Sequence, residues 1–335
     1  MSRLVVPAVA ALTVVATLAA GCSSDGTPQD ELMVSGDPVA ATAARSPAPA
    51  VTPAGTVLPL ADPVTALAVD ERTRTLAVAA GSTVHLYDLD TPDKAPRAVT
   101  LPGAASALTL ASPGGPLLAA LPTGVARVSL PDAVVTETTL DGGPADAVSY
   151  QGSTLVAVRD RKGVAVLDGD RVQRVISGGL LSADQVFSTG PGAVVLDRLR
   201  NAVFQLDVGK GTVGQGLRAG EGATNGVVDR YGRVLVTDTR GGALLAFSLD
   251  PLLMRQRYPV PGAPFAIAYD AERDLAWVTL TATNEVVGYA VGGEEPRERY
   301  RFPTVGQPDA VAVDPGSGLV VVASGNGGGV QVVRP

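Results

Sequence analysis

The chain has 335 residues, of which 46% are hydrophobic and 18% charged, enough apolar side chains for one large domain or two ordinary ones. Its net charge of -7, with no run of basic residues, argues against nucleic acid as a partner, because phosphate binding needs a concentrated positive patch. The single cysteine excludes an intrachain disulfide and a cysteine-built metal site.

In chain order, Arg3 supplies a positive start and residues 4–20 form an apolar run broken by Pro7 and two threonines. Ala19, Ala20 and Gly21 follow, then Cys22, then the polar Ser23, Ser24 and Asp25. A short apolar run ending in small residues is the pattern of a secretory signal rather than of a membrane span. The run from Leu18 to Cys22 resembles the bacterial lipobox, with Ala19 where leucine is usual. That resemblance implies cleavage of residues 1–21, lipid on the Cys22 sulfur and a place on the outer side of the cell membrane. An ordinary signal peptide or an uncleaved anchor with an incidental cysteine is the alternative. Residues 22–54 are rich in Pro, Ala, Ser and Thr and bury too little apolar surface to offset their ordering entropy. They are expected to form a disordered tether.

From Pro63 onward one pattern recurs at a period of about forty residues, the length of a propeller blade. Short apolar strands begin near Val64, Ala105, Ala145, Ser182, Thr224, Pro264 and Pro308. Each is followed by a turn, a second strand, a third and in most units a fourth. Breakers such as Gln151-Gly152 and Pro315-Gly316 mark the turns. High Gly and Pro with 4% aromatics suit this better than long helices. The expected fold for residues 55–335 is therefore an all-β, seven-bladed propeller of four-stranded antiparallel blades. The seventh unit stops at Pro335 after its third strand, and residues 56–62 look like a fourth strand. They are expected to complete the last blade and so close the ring.

The stretch from Leu275 through Trp277, Thr279 and Asn284 to Tyr289 resembles the tyrosine-valine-threonine-asparagine repeat, and Leu235 to Thr239 is a partial copy. With starts such as Pro308 to Asp314, the chain is similar to the YncE-like propellers of exported bacterial proteins. That likeness implies strand geometry and no particular chemistry.

Catalytic motifs are thin. His85 is the sole histidine, on an expected third strand away from the axis, which excludes a multi-histidine metal cluster. Gly214, Gly216 and Ala219 match a dinucleotide fingerprint in form, but no amphipathic helix follows. Trp277 sits in an apolar strand and reads as core.

Superposing the repeats puts Thr65, Ser106, Asp146, Asp184, Asn225, Phe265 and Asp309 around one mouth of the channel. Turns carrying Arg159, Arg198, Arg240, Asn284 and Asn326 belong to the same face. Two readings of this ring stand side by side. Asp146, Asp184, Asn225 and Asp309 hold a ligand, with a divalent cation possible and Glu221 nearby. Alternatively the same side chains tie down the loops leading into each blade. No cofactor is evident. The expected function is a lipid-anchored binding or scaffold module for an envelope protein or a small molecule. The alternative is a lactonase-like, metal-dependent hydrolase.

Overall fold

The computed structural model describes residues 36–335 together with Met1, Leu32 and Val34; Cys22 and the expected signal segment beyond Met1 lie outside the described residues. All regular elements among the described residues are strands, gathered in seven four-stranded antiparallel sheets. The first strands of the blades are Val64–Asp70, Ala107–Leu110, Pro144–Tyr150, Gln185–Ser188, Ala223–Val228, Pro264–Asp270 and Pro308–Asp314. Each touches the first strand of the next blade, and that of blade seven touches that of blade one, so the ring is closed.

Burial follows position within the blade. Second strands such as Leu117–Leu121 and Leu319–Ser324 are buried along their whole length. Neighbouring blades cover both their faces, so they read as continuous apolar runs rather than alternating ones. Outer strands such as Arg171–Ser177 and Arg297–Pro303 are largely exposed and polar. The core is divided among the seams. One apolar cluster joins blades one and two through Leu86, Leu108 and Leu121, and another joins six and seven through Trp277, Val311 and Val322. Trp277 stacks on Tyr300 and Phe302 of its own blade, as its place in an apolar strand predicts.

Turn residues do their work locally. Gln151 and Gly152 both take positive φ, 47° and 85°, as a two-residue hairpin of the primed type requires. At the far end of several first strands an aspartate caps the turn. Asp270 accepts from the N–H groups of Glu272 and Arg273, and Asp229 from those of Tyr231 and Arg233. This explains why the repeat's first strand ends in Asp.

The closing strand forms where expected but is shorter than residues 56–62. Thr56–Leu58 pairs antiparallel with Val330–Val333, with Val57 opposite Gln331, and supplies the fourth strand of blade seven. Without it the edge of Val330–Val333 would stand unpaired.

Residues 38–54, expected within the disordered tether, behave differently. They are extended and lie against the ring: Ala41 is buried, and hydrogen bonds join the stretch to blades four to seven. Composition argued for disorder because these side chains are small. The bonds that hold the segment involve mainly its backbone, which composition does not describe.

Candidate functional site

Each first strand starts at the face that carries the turns between second and third strands. The register shifts there in five of the seven blades, for instance between Val64 and Ala66 and between Pro308 and Ala310. Such a bulge re-aims one side chain. At Thr65 and Asp309 the extra residue turns toward the channel, where a cavity of about 230 Å³ is lined by first strands of all seven blades. A second cavity of about 320 Å³ lies further along between blades two and five. Asp146 and Gln185 line both.

Of the four residues singled out from sequence, Asp146, Asn225 and Asp309 line the first cavity. Asp184 is not part of that lining. It is buried, its Oδ1 2.9 Å from Arg159 Nε, and its Oδ2 accepts from the Arg198 N–H at 3.0 Å. The position superposed on it is filled by Gln185, one residue later, which the sequence alignment of blades missed. Blade four begins its first strand at Gln185 rather than at Ser182, and a one-residue slip turns a side chain to the other face.

The ring of polar groups is wired from blade to blade. Thr65 Oγ1 donates to Ala105 O (2.7 Å) and Ser106 Oγ to Ala145 O (3.1 Å). Asp146 Oδ2 accepts from Val186 N–H (3.0 Å), and Gln185 Oε1 from Gly226 N–H (2.8 Å). Asn225 Nδ2 donates to Phe265 O (3.1 Å), joined there by Thr237 Oγ1 (2.6 Å). Five consecutive seams thus each carry a side-chain bond to the next blade's backbone. Asp309 departs from the series and accepts instead from Gln307 Nε2 of its own loop at 2.8 Å.

The carboxylates feel their burial. It pushes Asp146 up to about 6, against hydrogen bonds from the Val186 and Ala147 N–H groups and the charge of Arg159. It also raises Asp309, against the Gln307 bond. Asp197 and Asp238, in the turns of the same face, are fully buried loop ties. Asp197 accepts from Leu181 and Arg200 N–H groups, and Asp238 from those of Glu221, Gly222 and Gly241. Among the described residues no three His, Cys, Asp or Glu side chains converge as a metal would require. His85 lies on a third strand, half-buried and away from the cavity lining. The glycine pattern around Gly214 and Gly216 falls in the outer strand Thr212–Arg218 of blade four.

The extended segment crosses this same face. Arg240 Nη2 donates to Val39 O (2.6 Å), and Arg198 Nη2 donates to Ala41 O. Gln307 grips two places: its Nε2 donates to Ala44 O and its Oε1 accepts from Ser46 N–H, both at 3.0 Å. Thr281 Oγ1 accepts from Ala44 N–H (3.1 Å), and Asn284 Nδ2 donates to Pro47 O (2.9 Å). Arg198 and Gln307 therefore connect the segment to Asp184 and Asp309. Sequence reasoning placed Arg198, Arg240 and Asn284 on this face but gave no role to Gln307 or Thr281.

No protein-family profile matches the sequence, and no curated protein matches it. Solved structures do resemble it in three dimensions. A chain of the mitotic checkpoint complex is 10% identical, with a TM-score of 0.73 over 89% of this chain and 97% of that one. Virginiamycin B lyase of Staphylococcus aureus is 13% identical, with a TM-score of 0.68 over 83% and 97%. A chain of hydrazine synthase from Kuenenia stuttgartiensis is 16% identical, with a TM-score of 0.64 over 84% and 97%. At such identities the likeness concerns the fold alone. The chain is a seven-bladed β-propeller.

Proposed function

We propose that this chain is a lipid-anchored, extracytoplasmic protein of the YncE-like kind, whose propeller serves as a binding or scaffold module for an envelope protein or a small molecule. The anchor rests on sequence: the one cysteine stands after a short apolar run and three small residues. A diacylglycerol thioether with a further acyl chain would hold it to the bilayer durably, since each buried methylene contributes about 0.8 kcal/mol.

One observation carries the module reading. The polar side chains at the channel mouth bond neighbouring blades together, while the loops around them present Arg159, Arg161, Lys162 and Arg240 to solvent. Groups committed to holding the ring are suited to a rigid platform, and the exposed loops to contact. Its ligand chemistry is that of the loops, not of the tied carboxylates.

Two measurements test this. Palmitate labelling with membrane fractionation should show label and membrane retention for the wild type, and neither for Cys22→Ser. Cross-linking on intact membranes, followed by pull-down, should recover a partner through the mouth-face loops. A thermal shift with Ca²⁺, Mg²⁺, Mn²⁺ or Zn²⁺ that disappears in Asp146→Ala and Asp309→Ala would weaken the module reading in favour of a metal-dependent hydrolase.

A further inference from the structure

The segment across the mouth face is held mainly through its main chain, with one side-chain bond, from Ser46 Oγ to Thr281 O. The bonds at Val39, Ala41, Ala44 and Pro47 engage main-chain groups. The Gln307 amide satisfies a C=O and an N–H two residues apart, the spacing that an extended chain presents on one side. Gln307 itself has a φ of 54°, in the left-handed region that a glutamine rarely occupies. Its N–H is 3.2 Å from Asn284 Oδ1, so one bound side chain positions the other. Ala263, at the equivalent position of blade six, has a φ of 57°, so this turn belongs to the repeat and what distinguishes blade seven is the amide it carries.

Arg198 ties the occupant to the ring through Ala41 O. Arg198 lies half-buried beneath it, burial lowers the basicity of its guanidinium, and its Nε has no hydrogen-bond partner among the described residues. The side chains that face the ring are small: Ala41 is buried, its Cβ 3.0 Å from where a Cβ on Gly222 would stand. The groove thus accepts an extended backbone with alanine-sized side chains.

We propose that the mouth face is a peptide-binding groove, filled in cis by residues 38–47, that takes an extended Ala- and Pro-rich segment of a partner protein in trans. This rests on the module reading above and names its ligand class. Recognition is by main-chain hydrogen bonds, with small side chains as the selection rule.

The test uses the full chain in detergent and a fluorescent peptide spanning residues 36–49. Ala41→Arg disables the internal segment and leaves the groove residues intact. Anisotropy should show saturable binding to Ala41→Arg, at least tenfold weaker binding to the wild type, and at least tenfold loss when Gln307→Ala is added to Ala41→Arg. The idea fails if the folded Ala41→Arg chain shows no saturable binding, or if Gln307→Ala leaves its affinity unchanged. Should Ala41→Arg not fold, hydrogen exchange on the wild type decides. Unlabelled peptide at millimolar level, on the order of the effective concentration of a tethered segment, should accelerate exchange at Ala44 and Ser46. Unchanged protection there would equally overturn the groove. Either failure leaves the lipidation and pull-down results standing on their own.

Discussion

Arg74 Nη1 donates to Asp314 Oδ2 at 2.6 Å, across the seam where blade one meets blade seven. Asp314 is fully buried, and Ser317 Oγ donates to the same oxygen at 2.5 Å. This seam joins the two ends of the ring, so the ion pair and the strand Thr56–Leu58 are two fastenings on one joint.

Burial alone would raise the Asp314 carboxyl, but the bonds from Ser317 and Arg74 outweigh it and hold the group below its ordinary value. A folded-state value lower than the unfolded one stabilises the protein at pH above the unfolded value, and that stabilisation is lost as pH falls through the folded value. Asp314→Asn should therefore cost about 1–3 kcal/mol at neutral pH, and the difference from wild type should shrink in acid. Urea melts at neutral and strongly acidic pH measure both. A constant gap would contradict the linkage.

The closing strand can be tested by a point change and by truncation. Leu58 is buried in the cluster that joins blades seven and one. Leu58→Ala should cost about 2–5 kcal/mol, the usual range for a buried leucine. A chain lacking residues up to 60 should melt well below one lacking residues up to 53. Both lose the crossing segment, so the difference isolates the strand. Equal melting would remove it as a fastening.

Asp146 should behave oppositely to Asp314. Its folded value, up to about 6, lies above that of the unfolded chain. The folded state then holds its proton more tightly, so stability falls as pH rises through this window and stays lower above it. Asp146→Asn keeps an oxygen for the Val186 N–H and removes the buried charge. At pH above the folded value it should stabilise the ring by up to about 3 kcal/mol, at 1.36 kcal/mol per unit. In mild acid the gain should vanish. Denaturation across that range decides, and an equal gain at both ends would refute the cause.

Gly288 lies opposite Trp277 on adjacent strands, and a Cβ there would stand 2.9 Å from the indole ring. The ring is itself pinned against Tyr300, with centroids 5.6 Å apart. Gly288→Ala should cost about 1–3 kcal/mol through overpacking, and Gly288→Val more. Trp277→Leu combined with Gly288→Val should recover part of that loss, since contacting residues couple. Purely additive melting shifts would argue against the contact.

The sequence by itself determined the strand repeat, the blade count and a closing strand within residues 56–62, of which Thr56–Leu58 pairs. Those features are written in local chemistry: apolar runs of strand length, turn residues such as Gln151-Gly152, and a capping aspartate at strand ends such as Asp270 and Asp314. Each needs only its near neighbours to be expressed. The tertiary structure alone decided which polar side chains reach the channel, because a bulge or a one-residue slip exchanges Asp184 for Gln185. It also decided that Asp146 and Asn225 hold the next blade, about forty residues away. The crossing segment was the least legible part. Its bonds run largely through its own backbone to Arg198, Arg240, Asn284 and Gln307, and main-chain hydrogen bonds leave no mark on the residue types that make them.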